Sequence, residues 1–166
     1  KLTDFTDGIN TTSYQYNVDG IRINKAVNGS TKHFIVDSNR DYAQVIAESD
    51  ADDQILVNYL YGLDLISKAN NNESYYYLYD GLGSTKALTD SSEAVTDTYD
   101  YQAFGELLNQ TGSTENNYLF TGEQYDDELD NYYLRARYYD QGIGRFTQQD
   151  EWYGDINNPI TLNKYV

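Results

Sequence analysis

Apolar and polar residues alternate along this chain in short runs, and Asp, Asn and Gly interrupt the runs at regular intervals. Tyr14-Gln15-Tyr16 leads to Gly20, Tyr77-Leu78-Tyr79 to Gly83 and Tyr99-Asp100-Tyr101 to Gly105, so each Gly stands four residues after the second Tyr. Tyr138-Tyr139-Asp140 followed by Gly144-Arg145-Phe146 repeats the pattern with one extra residue in the turn. Phe34-Ile35-Val36-Asp37 and Tyr59-Leu60-Tyr61-Gly62 read as degenerate copies. Side chains alternate across a strand, so Tyr77 and Tyr79 share one face and Leu78 takes the other. Asn17-Val18-Asp19-Gly20 and Asp80-Gly81-Leu82-Gly83 supply residues that tolerate positive φ and cap tight turns. Each unit therefore predicts a hairpin, and isolated hairpins are marginal in water, so the units must stack side by side.

The predicted fold is all-β: antiparallel hairpins stacked into a curved, spiralling sheet. The stretches 70–73, 90–93 and 109–117 read as outward hairpin tips, and Tyr42 to Glu48 as a strand, because Val45 and Ile46 stand in a β-rich context. Little helix is expected. The last residues, Leu162 to Val166, read as the start of a further strand, as in a piece internal to something longer.

Composition sharpens this picture. The chain has 19 Tyr among 166 residues and neither Met nor Cys, so Tyr must do the packing; its ring buries well but its hydroxyl needs a partner, which suits thin, half-wet sheets. Without Cys there is no disulfide framework. A formal net charge of −16 opposes binding to nucleic acid or anionic lipid and leaves a cationic partner open. No run reaches the ~18 apolar residues of a membrane-spanning helix.

From Tyr75 onward the strings Tyr77-Leu-Tyr-Asp-Gly-Leu-Gly-Ser-Thr-Lys-Ala-Leu-Thr-Asp90, Tyr99-Asp-Tyr-Gln-Ala-Phe-Gly-Glu-Leu107 and Tyr118-Leu-Phe-Thr-Gly-Glu-Gln124 closely resemble RHS/YD-repeat proteins. Tyr132-Tyr-Leu-Arg-Ala-Arg-Tyr-Tyr-Asp140 with Gly144-Arg-Phe146 is similar to the RHS repeat-associated core signature. The resemblance divides the chain into degenerate repeats at 1–74, clear repeats at 75–130, and the first part of the core at 131–166. It implies a secreted or surface shell segment that encloses or displays a variable C-terminal region, often a toxin. Its partner would be the remainder of its own polypeptide, with other proteins or glycans as further possibilities, and neither nucleic acid nor a membrane. The resemblance also implies that the structural motif residues are Tyr77, Tyr79, Asp80, Gly83, Tyr99, Tyr101, Gly105, Arg135, Arg137, Tyr138, Tyr139, Asp140, Gly144, Arg145 and Phe146. In several relatives the core is an aspartyl autoprotease using Asp-Pro-x-Gly motifs. Here Asp150 is followed by Glu151 instead of Pro, and no second motif follows, so Asp150 is at most a weak catalytic candidate. Asp127 and Gln141 also replace a frequent Pro.

Other chemistry is thin. Asp140 with Asp150 could form a carboxylate pair, but Asp140 sits where Asp80 serves as a turn residue. Asp50, Asp52 and Asp53, or Asp126, Asp127, Glu128 and Asp130, offer oxygen ligands without the offsets of a calcium loop, and read as solvated loop acid. His33 has no nucleophile motif beside it and reads as a strand residue. Arg135 and Arg137, two apart, would share a strand face with Tyr133 and clamp the core to the repeats by cation–π contact or ion pairing. Gly81-Leu82-Gly83-Ser84 lacks the ending of a phosphate loop. No metal and no cofactor is called for, and no enzymatic activity is expected of this chain. A carbohydrate-binding or adhesive module, with Tyr75 or Tyr76 stacking on sugar rings, is the remaining alternative.

Overall fold

The computed structural model describes residues 1–70 and 72–166. Eleven strands run up and down in sequence order as one antiparallel sheet. They are β1 Asp4–Thr6, β2 Thr11–Tyr16, β3 Arg22–Val27, β4 Ser30–Asp37, β5 Gln44–Ser49, β6 Ile55–Tyr61, β7 Leu65–Asn70, β8 Glu73–Tyr79, β9 Thr85–Thr89, β10 Val95–Tyr101 and β11 Leu107–Thr111. A second, four-stranded antiparallel sheet holds β12 Gln124–Asp126, β13 Asn131–Leu134, β14 Arg137–Asp140 and β15 Arg145–Phe146. The only helical turns among the described residues are the 3-10 segments Phe120–Gly122 and Pro159–Leu162.

One turn design recurs. In the turns starting at Asn17, Asp50, Asp80 and Asp90, the side-chain oxygen accepts the backbone N–H groups two and four residues on. The fourth turn residue takes positive φ: 74° at Gly20, 60° at Asp53, 86° at Gly83 and 68° at Glu93. Gly105, at 98°, closes the same kind of turn behind Gln102. Asp50, read from the sequence as solvated loop acid, is thus a turn cap.

A second device recurs beside the turns. The pairing register shifts immediately before Tyr16, Tyr61, Tyr79 and Tyr101, each the second Tyr of a Tyr-x-Tyr run. Such bulges bend a strand and increase its twist. Three of these tyrosines then donate their hydroxyls to carbonyls near the rim: Tyr16 to Leu2 at 2.6 Å, Tyr79 to Leu65 at 2.6 Å and Tyr101 to Thr85 at 2.7 Å. Each bond staples a hairpin to the one before it. The first Tyr of each run lies deeper, with Tyr14, Tyr77 and Tyr99 all buried, while Leu78 is exposed on the opposite face.

The curvature follows from two adjacent residues of β13. Tyr132 donates its hydroxyl to the Gly105 carbonyl in the β10–β11 turn at 2.9 Å, and the Tyr133 hydroxyl accepts the Arg22 N–H of β3 at 3.0 Å. Neighbouring strand residues point to opposite faces, so the second sheet is covered on both sides by opposite ends of the first. Laid flat, β3 and β10 would stand roughly 34 Å apart at ~4.8 Å per strand. The large sheet must therefore curl around the small one. The buried core, Leu65, Tyr77, Leu88, Tyr99, Tyr118, Leu119 and Tyr132, lies where they meet.

Two readings of the chain are corrected here. Residues 109–117 are not an outward tip: Asn109 to Thr111 belong to the edge strand β11, and the following residues cross inward to the second sheet. Buried Asp97 accepts the Thr114 N–H at 2.9 Å, Asn116 accepts the Tyr77 hydroxyl at 2.9 Å, and Thr85 donates to the Tyr118 carbonyl at 2.8 Å, which pins the crossover. A 3-10 turn at Pro159–Leu162 is followed by turn and irregular backbone through Val166 instead of a strand, tied back by Phe146 N–H to the Tyr165 carbonyl and Asp150 N–H to the Lys164 carbonyl. Of the 70–73 turn, Asn71 lies outside the described residues.

Gly112 shows how tight the crossover is. A β-carbon there would stand 2.1 Å from Asp97 Oδ1 and 2.5 Å from the Thr96 carbonyl, at a φ of 83°. Gly29, at 85°, has open space around it. Gly112→Ala is expected to cost roughly 2–4 kcal/mol through overpacking and left-handed strain, and Gly29→Ala about 1 kcal/mol through strain alone. Urea unfolding midpoints check this ordering; equal losses would contradict the packing of the crossover.

Candidate functional site

The most heavily built polar site is the junction between the two sheets. Arg22 opens β3 with its side chain 2% exposed, where an isolated charge would be untenable. It forms an ion pair with Asp126 of β12, itself 2% exposed, and donates to Gln124 Oε1 at 2.8 Å and the Tyr138 hydroxyl at 3.2 Å. Gln124, Asp126, Tyr133 and Tyr138 share one face of the small sheet through the paired positions Gln124–Tyr133 and Tyr133–Tyr138. The guanidinium also lies over three rings, 4.2 Å from the centroid of Tyr133, 5.0 Å from Phe34 and 5.4 Å from Tyr14. Lys25 adds a second cation, 2.9 Å from Asp126 Oδ1 and paired with Glu128, so two positive and two negative groups balance.

Burial pushes the Asp126 carboxyl up, but Arg22 and Lys25 outweigh it and hold the group below the ordinary carboxylate range. Burial lifts Glu123 and Asp127 instead. The tyrosines move the same way: burial carries Tyr61 and Tyr99 up to about 12 and Tyr77 and Tyr118 well above their ordinary value. These hydroxyls remain donors across the physiological range.

Of the residues singled out in the sequence, Asp126, Tyr133 and Tyr138 meet at this junction, and the others fall elsewhere. Asp140 caps the β14–β15 turn, accepting the Gly142 N–H at 2.9 Å and the Ile143 N–H at 3.2 Å. Asp150 accepts the Trp152 N–H at 2.9 Å and pairs with Arg137 at 3.1 Å. Each carboxylate is held by its own turn. Arg135 does not share a strand face with Arg137. It occupies the β13–β14 turn at φ 51°, pairs with Glu123 and stacks over Tyr42 at 5.4 Å. Arg137 lies 3.6 Å from the centroid of Phe146 and holds the C-terminal residues through Asp150. Tyr75 faces inward and bonds Glu73 at 2.8 Å, while Tyr76 is 42% exposed on the outer face. His33 sits in β4 beside Asn24, 3.3 Å away.

Arg22, Lys25 and Asp126 were the functional residues that sequence reasoning missed. Asp126 looked like solvated loop acid, and the structure buries it. The local clue was Arg22 two residues after the hairpin Gly20, at the opening of a strand. One hollow of about 540 Å³ adjoins the junction between the rim turns and the small sheet, reaching Tyr42, Tyr61, Glu123 and Arg135, and a separate one of about 560 Å³ reaches Lys32, Glu48 and Lys68.

Removing one member of a buried pair leaves the other uncompensated, so Arg22→Met or Asp126→Leu is expected to cost roughly 3–5 kcal/mol each, and the double variant less than the sum. A depressed carboxylate stabilises the fold above its unfolded pKa of about 3.9 and loses that contribution as pH falls through the lower folded value. Stability should therefore drop below about pH 4 in the wild type. Glu123 and Asp127 act in the opposite sense, so the test is the difference from Asp126→Asn, whose urea midpoint should fall less over the same interval. Parallel curves would remove Asp126 from the acid response.

A family model described as Teneurin YD-shell matches residues 2–166. The chain is 35% identical over 159 residues to the tRNA3(Ser)-specific nuclease WapA of Bacillus spizizenii, and equally to the tRNA nuclease WapA of Bacillus subtilis. In both cases 93% of this chain aligns with 7% of the relative, so it spans a small part of their length. It is 29% identical over 136 residues to salivary gland surface protein 1 of Aedes aegypti, covering 80% of this chain and 4% of that protein. The fold matches the crystal structure of TcdB2-TccC3-TEV with a TM-score of 0.69 at 18% identity, over 99% of this chain and 9% of that one. A Photorhabdus luminescens Tc holotoxin pore gives 0.67 at 18% identity, over 99% and 8%. The repeat traced by Tyr and Gly spacing is thus the YD repeat, and the chain belongs to the Teneurin YD-shell family.

Proposed function

We propose that this chain is a wall segment of a longer secreted or surface shell, which encloses or displays a variable C-terminal region of the same polypeptide. The observation that carries the reading is the pair Tyr132 and Tyr133, which bind opposite ends of one eleven-stranded sheet and so make it concave. The lengths of the curated relatives, of which the chain spans 7%, support a part within a larger assembly. These relatives are named as tRNA nucleases and align with this chain over only 7% of their length, so we place any such activity of a longer parent outside this wall. A surface location is supported by the name of the mosquito relative; no helix among the described residues is long and apolar enough to cross a membrane.

In this reading the 166 residues contribute shape, and the Arg22–Asp126 junction keeps the wall closed. The test is limited trypsin digestion of the longer polypeptide. Its C-terminal region should survive at least tenfold longer than the same region expressed alone, and the protection should shrink in Arg22→Met. Cleavage at equal rates in the two contexts would defeat enclosure.

A further inference from the structure

The large sheet stops at β11, and that edge is left open. The chain departs at Gly112 and turns inward, where the Thr114 N–H is held by Asp97 of β10. The crossover thus folds back over β10 and does not run alongside β11. Among the described residues, the backbone of Leu107–Thr111 hydrogen-bonds only to β10, and four of these five residues are exposed. Backbone groups of a strand point to both of its sides, so the outer side of β11 presents N–H and C=O groups without a protein partner.

The edges of the small sheet are covered. The Tyr125 N–H of β12 donates to the Asn117 carbonyl at 2.7 Å, and the Phe146 N–H of β15 to the Tyr165 carbonyl at 3.0 Å. β1, at the other end of the large sheet, is three residues long and carries Asp4. Charge, Pro and short length are the common means of blunting an edge. β11 has neither charge nor Pro, and Leu108 within it is 68% exposed. Such an edge suits the addition of a strand from outside.

Charge decides which strand. The sequence holds no Lys or Arg between Lys86 and Arg135, and exposed Glu106 immediately precedes β11. Lys86 is itself committed to Asp100 of β10, at 2.6 Å. A second copy of this chain would bring a further −16 to the same place, and an acidic peptide would meet the same repulsion.

We propose that the free edge of β11 takes up an extended basic segment of a separate polypeptide as a further strand of the large sheet. Backbone hydrogen bonds supply the affinity, and the Lys or Arg side chains of the added strand meet the acidic surround. This goes beyond the shell reading and does not rest on it.

A fluorescein-labelled peptide of about seven residues, alternating Lys and Val, is the probe, since it can span β11. It should bind the chain and slow hydrogen exchange of the Leu107–Thr111 amides while leaving β1 unchanged. The same peptide N-methylated at alternate residues keeps its charge but loses its backbone donors, and should bind roughly tenfold more weakly. Leu108→Lys sets a like charge on the edge and should weaken binding roughly tenfold, whereas Leu108→Glu should bind at least as well as the wild type. Melting temperatures of both variants should match the wild type, which separates loss of the edge from loss of the fold. No binding, equal binding of the N-methylated peptide, protection away from β11, or unchanged binding in Leu108→Lys overturns the proposal. Dimerisation that Leu108→Lys abolishes assigns the edge to a second copy, and failure of the longer polypeptide to bind the peptide assigns it to a segment of the same chain; either result also overturns the separate partner.

Discussion

Burying the Arg22 guanidinium is tolerable only because its counter-charge arrives from Asp126, 104 residues downstream. That requirement dictates much of the rest. The small sheet must lie inside the large one, the large one must curl, and the crossover after β11 must run inward. A ribbon of hairpins could otherwise remain open, since each pairs only with its neighbours. An ion pair is no strong source of net stability, but it is intolerant of misplacement, and here it fixes how the two sheets meet.

Tyrosine supplies what a dry aliphatic core would supply elsewhere. The first Tyr of each run fills the interior, and the second, beside a bulge, ties its hydroxyl to a rim carbonyl of the preceding hairpin. Because burial raises the pKa of these hydroxyls, the staples stay protonated across the physiological range. The same residue type thus performs packing and hydrogen bonding a few ångströms apart, which explains a chain so rich in Tyr and devoid of Met and Cys.

The hairpins were legible because Tyr-x-Tyr followed by Gly is a local signal, and Gly20, Gly83 and Gly105 all take the positive φ their spacing implied. The same turn at Asp53 and Glu93 was invisible as a match to the repeat, since neither residue is Gly; the Asp cap three residues earlier was the signal to follow. The junction was beyond local reading. Nothing beside Asp126 in sequence distinguishes it from Asp127, and only the pairing of β12 with β13 turns one inward. Arg135 was misplaced because spacing of two suggested a strand where the chain turns.

The long separation between Arg22 and Asp126 also orders events in time. Strand pairing in the meander closes only short loops, whereas the junction must close one of about a hundred residues, and non-local contacts form late. The ribbon therefore assembles first and shuts afterwards. Until it shuts, the concave face stays open, so in the enclosure proposed above closure of the junction would have to follow entry of the enclosed segment.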